Sequence, residues 1–393
     1  MRLLQAALAA VLTVALASAR PTSPLPPPVP IVIWHGLGDR FDAPGLLSLK
    51  EDLEQTPDLA GVFVHIVQLG EDGTSDQRAT FFGSANDHVA RVCAQLAALP
   101  EIVDPLLNPS RQFDALGFSQ GGQLLRAVVE RCGAIGAGAR SDGVRPRRLV
   151  TVGSQHMGIS ELPPCPPNSS PLSPCRLMHL SLVRSGIYTP WAQRNVIPAQ
   201  YFRDPTRIDE YLARNDFLRD VNNERVGDAQ LAADGVAREV GENGDEVPPR
   251  NATYKANLSA LDRLVLFRFS DDVTVVPPHT AHFTLPSPNA TNCPPPSAPG
   301  CYATPLPWPR LALYRDDYVG LAALDAKKRV QRRVCEGAHM EIGDECWRAI
   351  VRVFTTTRAG RRDDGDAAPA NVGDGEVWHR ERGRDAPKLV LQL

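Results

Sequence analysis

The sequence predicts an α/β fold in which a mostly parallel sheet carries helices on both of its faces. Short, continuously apolar runs, typical of strands buried on both faces, recur along the chain. Runs with apolar residues at helical spacing follow them, so strand, loop and helix alternate. A Gly-x-Ser-x-Gly turn at residues 117–121 joins one such strand to one such helix. This turn has the sequence form of a nucleophile elbow, which exposes a serine at a sharp strand-to-helix joint.

The predicted elements follow one another in a regular order at first. Strands are expected at residues 30–34, 62–69, 113–116, 149–152, 264–269 and 329–334. Helices are expected at 87–99, after the elbow as far as residue 129, and at 346–354. The alternation stops between residue 159 and about residue 260, where Pro-rich loops and helical stretches show no clear strand. We interpret this region as a cap inserted over the carboxyl edge of the sheet, either a lid or a substrate-binding surface.

The first 19 residues have the pattern of a cleaved signal peptide. Arg2 supplies a positive charge, residues 3–16 are apolar, and Ala17-Ser18-Ala19 is a small-residue cleavage site. The apolar run is shorter than the ~20 residues that a bilayer span needs, and no other stretch approaches a transmembrane helix. The chain is therefore expected to enter the secretory route.

Composition limits the remaining possibilities. With 393 residues, 43% of them hydrophobic, the chain can form one large domain, expected at residues 20–354. Residues 355–393 are rich in Gly, Asp and Arg without periodicity, which predicts a disordered tail. Two long loops are also expected, an acidic one at 226–248 and a Pro-rich one at 286–309. A formal net charge of −3 argues against a nucleic-acid partner.

Eight cysteines are consistent with an oxidising compartment, but their pairing cannot be read from the sequence. Cys165 and Cys175 bracket one loop, and Cys293 and Cys301 bracket another. Cys93 and Cys132 are expected on two helices that flank the elbow strand. Cys335 and Cys346 remain as a possible fourth pair. The chain has no Cys-x-x-Cys pair and no His-x-x-x-His, so no metal site is expected. Glycosylation sequons that look accessible begin at Asn168, Asn251 and Asn257, and a fourth begins at Asn289.

A serine elbow needs a base and an acid that orients the base. In α/β-hydrolase sheets these follow in the order serine, Asp or Glu, and histidine, each just past a strand. Asp271 and Asp272 come directly after the strand at 264–269, and adjacent side chains point apart, so only one of them is expected to face Ser119. His339 follows the last predicted strand, which makes it the expected base.

Backbone N–H groups beside the serine are the expected oxyanion donors. Gln120 follows the nucleophile and opens the helix, so its N–H has no partner within the helix. The Gly-rich loop after the first strand places Leu37 as the second candidate donor. Gln155 and His156 end another strand at the same edge, where they either line the pocket or hydrogen-bond within it.

Three segments of the chain resemble the palmitoyl-protein thioesterase family: residues 33–39, 115–127 and 153–158. The resemblance runs from about residue 30 to residue 354, and shorter matches at 204–205, 221–225 and 254–258 carry it through the cap. Residues 226–248, 286–309 and 355–393 look like additions to the family pattern. The family often has a sequon where this chain has Asn215-Asp216-Phe217, and it has Asn-Asp where this chain has Asp271-Asp272.

The resemblance implies a lysosomal α/β-hydrolase that removes long-chain fatty acyl groups from cysteine thioesters without a cofactor. It implies Ser119 as nucleophile, Asp272 as acid and His339 as base, with oxyanion donors at Leu37 and Gln120. It also implies the disulfides Cys93–Cys132 and Cys165–Cys175 and glycosylation at Asn251. The expected substrates are S-acylated proteins or peptides, or acyl-CoA, and the expected location is the lysosome or a vacuole, or outside the cell.

Two other functions remain open on the sequence. The same triad would serve a lipase or carboxylesterase. A non-catalytic lipid-binding protein is the alternative from another class, although the Ser–Asp–His order argues against it. An acyl groove is expected between cap and sheet, with Ile187, Trp191 and Phe202 as candidate lining residues.

Overall fold

The computed structural model describes residues 27–135, 143–226, 249–286, 305–355 and 389–390. Several expectations fall outside these ranges: the signal peptide at 1–19, most of the two long loops, most of the tail, and the residues Asn289, Cys293 and Cys301.

Six parallel strands form the central sheet. In chain order they are β1 (Ile31–Trp34), β2 (Val64–Ile66), β3 (Gln112–Phe118), β4 (Arg145–Val152), β5 (Arg263–Phe269) and β6 (Val330–Cys335). Their order across the sheet is β2-β1-β3-β4-β5-β6, and every neighbouring pair is parallel. The predicted α/β-hydrolase fold is confirmed, and the carboxyl ends of all six strands meet at one edge.

Helices lie between and after these strands. Those preceding the cap are α1 (Pro44–Gln55), α2 (Gly73–Phe81), α3 (Ala85–Ala98), α4 (Pro100–Val103) and α5 (Gln120–Cys132). Between β4 and β5 the described residues form α6 (Pro174–Ser185), α7 (Pro190–Asn195), α8 (Ile197–Gln200), α9 (Ile208–Arg214), α10 (Leu218–Val221) and α11 (Ala252–Ser259). The last are α12 (Ala312–Arg315), α13 (Leu321–Ala326) and α14 (Asp344–Thr355).

The sheet is buried on both faces because successive residues of each strand point to opposite sides. On β1, Val32 and Trp34 pack into a core with α3 and α5, whereas Ile31 and Ile33 pack into a second core with α1 and α14. This two-sided burial explains why the strands appear in the sequence as continuous apolar runs.

Helix α2 was missed in the sequence, although its start carries a recognisable signal. Asp72 caps the helix by accepting a hydrogen bond from the Ser75 N–H at 2.8 Å, and Ser75 Oγ accepts one from the Asp72 N–H at 3.1 Å. This reciprocal pair is a capping box with serine in the third helical position. No wide apolar stripe accompanies it, so periodicity alone does not reveal the helix.

Three disulfides join described cysteines. Cys93–Cys132 ties α3 to α5, Cys165–Cys175 closes the loop that precedes α6, and Cys335–Cys346 ties β6 to α14. The first two are the pairs that the family resemblance implies.

Two residues near the end of the chain are described. Leu389–Val390 forms strand β8, which pairs antiparallel with β7 (Glu341–Ile342). The expected disorder of residues 355–393 stays a prediction, because most of this segment lies outside the described residues.

Candidate active site

Ser119 occupies the sharp turn between β3 and α5. Its backbone lies at φ 48° and ψ −123°, a conformation that non-glycine residues rarely adopt. The turn is tight enough that a Cβ on Gly121 would lie 2.2 Å from the Trp34 carbonyl oxygen, and a Cβ on Gly117 would lie 2.2 Å from Gly122 Cα. The glycines of the motif are therefore required by close packing of the elbow against β1 and against itself.

The structure brings the three predicted catalytic side chains together. His339 Nε2 lies 2.9 Å from Ser119 Oγ, and His339 Nδ1 lies 2.7 Å from Asp272 Oδ2. All three residues are at most 7% exposed. This is a continuous hydrogen-bonded chain from carboxylate to imidazole to hydroxyl, the geometry of a serine hydrolase triad.

Asp272, rather than Asp271, faces the histidine. Its second oxygen, Oδ1, accepts hydrogen bonds from the N–H groups of Thr274 at 3.0 Å and Val275 at 2.9 Å, which fix the carboxylate plane. Asp271 is exposed, and its Oδ2 accepts from Ser270 Oγ at 3.2 Å. The expectation that only one of these adjacent carboxylates points inward agrees with this arrangement.

The loops that carry Asp272 and His339 are tied to each other. The Gly337 N–H donates to Ser270 Oγ at 2.9 Å, and the Asp271 N–H donates to the Gly337 carbonyl at 3.0 Å. The ring of Phe269 meets the His339 ring edge-on at 5.8 Å between centroids. The imidazole is thus held in place from the ends of both β5 and β6.

Leu37 lies in the loop that follows β1, next to the nucleophile. A Cβ on its neighbour Gly36 would lie 3.1 Å from Ser119 Cβ and 3.8 Å from Ser119 Oγ, so the backbone of this loop closely approaches the serine. Gln120 N is the first nitrogen of α5, where N–H groups have no partner within the helix. Both predicted oxyanion donors therefore lie on backbone that borders Ser119.

Helix α2 holds the Leu37 loop in place. The Gly38 N–H donates to Thr80 Oγ1 at 2.8 Å, and Gln77 Nε2 donates to the Gly38 carbonyl at 2.5 Å. At the start of the loop, His35 Nε2 lies 2.8 Å from Asp76 Oδ2, with both side chains fully buried. Sequence reasoning missed all three supporting residues of α2 because it did not identify that helix.

The Asp76 carboxylate accepts several hydrogen bonds besides its contact with His35. Its Oδ1 accepts from the N–H groups of Leu69 at 2.6 Å and Gly70 at 3.0 Å, and its Oδ2 accepts from the Phe41 N–H at 2.9 Å. Burial alone would raise the pKa of Asp76, but the hydrogen bond and charge of His35 and the backbone donors outweigh burial and lower it. Asp76 is therefore held as a carboxylate that organises three chain segments around the loop.

The Gln120 side chain joins the elbow to the cap. Its Nε2 donates to the Thr80 carbonyl at 3.1 Å, and its Oε1 accepts from Tyr201 Oη at 3.0 Å. Tyr201 lies just after α8 and is fully buried. The residue that carries one oxyanion candidate is thus fixed by α2 on one side and by the cap on the other.

His156 and Gln155 take part in internal packing rather than in the triad. His156 Nε2 lies 2.9 Å from Thr151 Oγ1, and its ring stacks on Phe283 at 4.3 Å. Burial, with the positive charge of Arg126 nearby, lowers its pKa well below the ordinary value. The Gln155 carbonyl accepts from Gln123 Nε2 at 2.7 Å.

The candidate acyl-groove residues are not alike in exposure. Phe202 is buried in the core beside β4 and the cap, Ile187 is half-buried, and Trp191 is 48% exposed. Of these three side chains, Trp191 is turned toward solvent.

The sequons also differ. Asn251 is exposed at the N-cap of α11, and Asn168 is exposed in the loop before α6. Asn257 is half-buried, and its Nδ2 donates to the Glu130 carbonyl at 2.8 Å. The expectation that Asn257 is accessible was wrong, because the amide nitrogen that would carry the sugar is engaged with α5.

Potential metal ligands and membrane-spanning helices were sought among the described residues. There, the cluster with three potential metal ligands is Cys165, Cys175 and His179, and its two sulfur atoms are joined in a disulfide. No helix among the described residues has the length and apolarity to cross a membrane.

Comparison with known proteins identifies the family. A sequence model of the family described as palmitoyl protein thioesterase matches residues 30–339. The chain is 32% identical over 315 residues to palmitoyl-protein thioesterase 1 of Caenorhabditis elegans, covering 80% of this chain and 87% of the relative. This chain belongs to the palmitoyl protein thioesterase family.

More distant matches were also found. Palmitoyl-protein thioesterase 3 of Dictyostelium discoideum is 25% identical over 307 residues, which cover 77% of this chain and 81% of the relative. A solved monoacylglycerol lipase from Paleococcus ferrophilus aligns over 84% of this chain and 96% of its own, at 13% identity and a TM-score of 0.37. The predicted family and the predicted class of enzyme, a thioesterase, are confirmed by the family match.

Proposed function

We propose that the chain hydrolyses thioesters between long-chain fatty acids, palmitate above all, and cysteine residues of proteins or peptides, through an acyl-enzyme on Ser119. The observation that carries the proposal is the Asp272–His339–Ser119 hydrogen-bond chain in a member of this family. Acyl-CoA has the same thioester and is proposed as a second substrate.

In the first step, neutral His339 accepts the Ser119 proton at Nε2 while Oγ attacks the thioester carbonyl carbon. Asp272 holds the Nδ1–H tautomer and stabilises the imidazolium that forms. The tetrahedral intermediate then collapses, the C–S bond breaks, and the sulfur leaves with the proton from His339. Because a thiolate is a better leaving group than an alkoxide, a thioester demands less of this acid step than an oxygen ester.

We propose the Leu37 and Gln120 N–H groups as the donors that bind the oxyanion. Each such donor stabilises the transition state by roughly 3 kcal/mol. In the second step, His339 removes a proton from water, the hydroxide oxygen attacks the acyl-enzyme, and Ser119 regains its proton as the fatty acid leaves. This cycle involves no redox step and is balanced by one water molecule.

We further propose that residues 159–260 act as the cap that shapes acyl binding. Tyr201, held to Gln120 by a 3.0 Å hydrogen bond, supports this by linking the cap directly to the elbow. Each buried methylene contributes ~0.8 kcal/mol, so an apolar acyl site would favour long chains strongly.

We also propose that residues 1–19 direct the chain into the secretory route and that it works in the lysosome or a vacuole, or outside the cell. The disulfides support an oxidising compartment, and exposed Asn251 is the proposed glycosylation site.

Substrate comparison tests the proposal. Purified protein is given palmitoyl-CoA, an S-palmitoyl peptide, the matching O-palmitoyl serine peptide and a triglyceride. Faster turnover of the two thioesters is expected. Turnover of the oxygen esters alone would indicate a lipase or carboxylesterase. Acyl binding without turnover or reaction with a fluorophosphonate would indicate a lipid-binding protein.

A further inference from the structure

Helix α6 has an apolar outer surface in addition to its buried one. Its inner side chains Met178 and Leu182 belong to the same hydrophobic cluster as Leu37, the candidate oxyanion residue. On the opposite side of the same helix, Leu180 is 46% exposed and Val183 is 84% exposed. A surface helix that turns branched apolar side chains toward solvent has an outer face without a partner among the residues that the structure describes.

The neighbouring helix α7 adds a third exposed apolar side chain. Trp191 is 48% exposed, and α7 packs against α6. Tryptophan with aliphatic side chains on one surface is the combination that favours the boundary between lipid headgroups and acyl chains.

The charges that residues 162–203 themselves carry are all of one sign. Between residues 162 and 203 the sequence contains four arginines and no Asp or Glu, although the whole chain has a net charge of −3. Arg203 is half-buried and paired with Glu224, whereas the other three, Arg176, Arg184 and Arg194, are exposed. We define the α6–α7 patch as Leu180, Val183 and Trp191 with these three exposed arginines.

The periodicity of each helix places the two kinds of side chain on the same face of that helix. Arg176 and Arg184 lie four residues to either side of Leu180, and Arg194 lies three residues after Trp191. Residues three or four apart share a helix face. Apolar side chains flanked by arginines can enter the acyl boundary while the guanidinium groups pair with anionic headgroups.

We propose that the α6–α7 patch docks the protein on an anionic lipid membrane. Charge complementarity selects this occupant, because a neutral or cationic surface would leave the three arginines without counter-charges. Docking would bring the cap and the Leu37 loop to the membrane surface, where acyl chains of membrane-bound substrates reside. This consequence rests on the proposed function, but the docking itself does not.

Vesicle flotation tests the docking. The full chain is mixed with vesicles of phosphatidylcholine alone or with added phosphatidylserine. Binding to the anionic vesicles is expected, with Val183→Ser and Leu180→Ser together weakening it about tenfold. Arg176→Gln and Arg184→Gln are expected to weaken it about fivefold each. The matched control is Leu106→Ser, which changes a residue that is 87% exposed in the turn before β3.

Three outcomes would overturn the proposal. The first is that wild-type protein floats with neither kind of vesicle. The second is that Leu106→Ser weakens vesicle binding as much as the patch variants do. The third is that the patch variants convert a dimer to a monomer in sedimentation. A short-chain, water-soluble thioester reports catalysis separately, and patch variants should hydrolyse it at the wild-type rate. Loss of thioesterase activity with vesicle binding intact would therefore refute the proposed function and leave the docking standing.

Discussion

His35 and Asp76 form a fully buried pair, 2.8 Å apart, at the start of the loop that carries Leu37. The pair joins β1 to α2, and the same carboxylate accepts three backbone N–H groups. Because a removed partner leaves a buried group unsatisfied, such a pair fixes local geometry strongly. We infer that Asp76 is a positioning residue for the Leu37 loop.

Asp76→Asn tests this inference. The amide keeps the size of the side chain but presents an NH₂ to N–H donors, so we expect a loss of about 3 kcal/mol in the free energy of unfolding. In the fraction that folds, kcat should fall about 100-fold with little change in KM, since the loop is displaced and not the acyl site. Urea unfolding and steady-state kinetics measure both, with exposed Asp58→Asn as the matched control. Wild-type kcat in folded Asp76→Asn would contradict the positioning role.

The lowered pKa of Asp76 determines how its contribution to the free energy of unfolding changes with pH. The folded-state pKa lies below the ordinary 3.8, so the stabilisation is complete above pH 3.8 and is lost as pH falls through the folded value. The pair therefore remains intact at the acidity expected for a lysosome.

Gly36→Ala tests the close approach of the Leu37 loop to the nucleophile. The added methyl would lie 3.1 Å from Ser119 Cβ and must displace the loop or the serine. We expect kcat/KM to fall about 10- to 100-fold. The control is Gly343→Ala, where nothing lies within 4 Å of the added methyl and activity should be unchanged. Equal activity of the two variants would show that the loop does not constrain Ser119.

Glu130 gives the protein a pH-dependent stability. Burial raises its pKa to about 8, against the opposing charge of Arg126, whose Nε lies 3.1 Å away. The folded state therefore binds a proton more tightly than the unfolded state, whose pKa is near 4.5. This stabilisation is present below pH 4.5 and is lost as pH rises toward about 8.

The measurement is best made between pH 6.5 and 8. Below pH 6.5 the buried histidines His156 and His282, whose pKa values burial lowers, change stability in the opposite direction. Between pH 6.5 and pH 8 we expect the free energy of unfolding of the wild type to fall by roughly 1–2 kcal/mol. In Glu130→Gln it should not change over this range. Urea midpoints at several pH values decide this, and an equal slope in the variant would assign the effect to other groups.

Glycosylation distinguishes Asn251 from Asn257. In protein expressed through a secretory route, Asn251→Gln should remove one glycan, because Asn251 is exposed. Asn257→Gln should leave the mass of the glycans unchanged, because its Nδ2 already donates to Glu130. Gel mobility before and after enzymatic deglycosylation reads out both variants. A lost glycan in Asn257→Gln would mean that the sugar is added before this contact forms.

The sequence was sufficient for the sheet and for the candidate triad because both depend on local patterns. Buried parallel strands appear as apolar runs, and Ser119, Asp272 and His339 each follow a strand at the same edge. Two strands extend further than their apolar runs suggested, Gln112–Phe118 and Arg145–Val152, since polar or glycine residues at strand ends still pair. Val64–Ile66 is shorter than the run predicted at 62–69.

The supports of the site could not be read in the same way. Asp76 and Tyr201 act through contacts across 41 and 81 residues, with His35 and Gln120 respectively, and no local pattern encodes such distances. Asn257 looked like a surface sequon because its contact with α5 also depends on the tertiary fold. Only the capping box at Asp72 offered a local signal for α2.

Mass spectrometry of protein quenched during turnover of an S-palmitoyl peptide shows which residue carries the acyl group. One palmitoyl adduct is expected on the peptide that contains Ser119, with neither adduct nor turnover in Ser119→Ala. An adduct on another residue, or undiminished turnover by Ser119→Ala, would contradict the role of Ser119 as nucleophile.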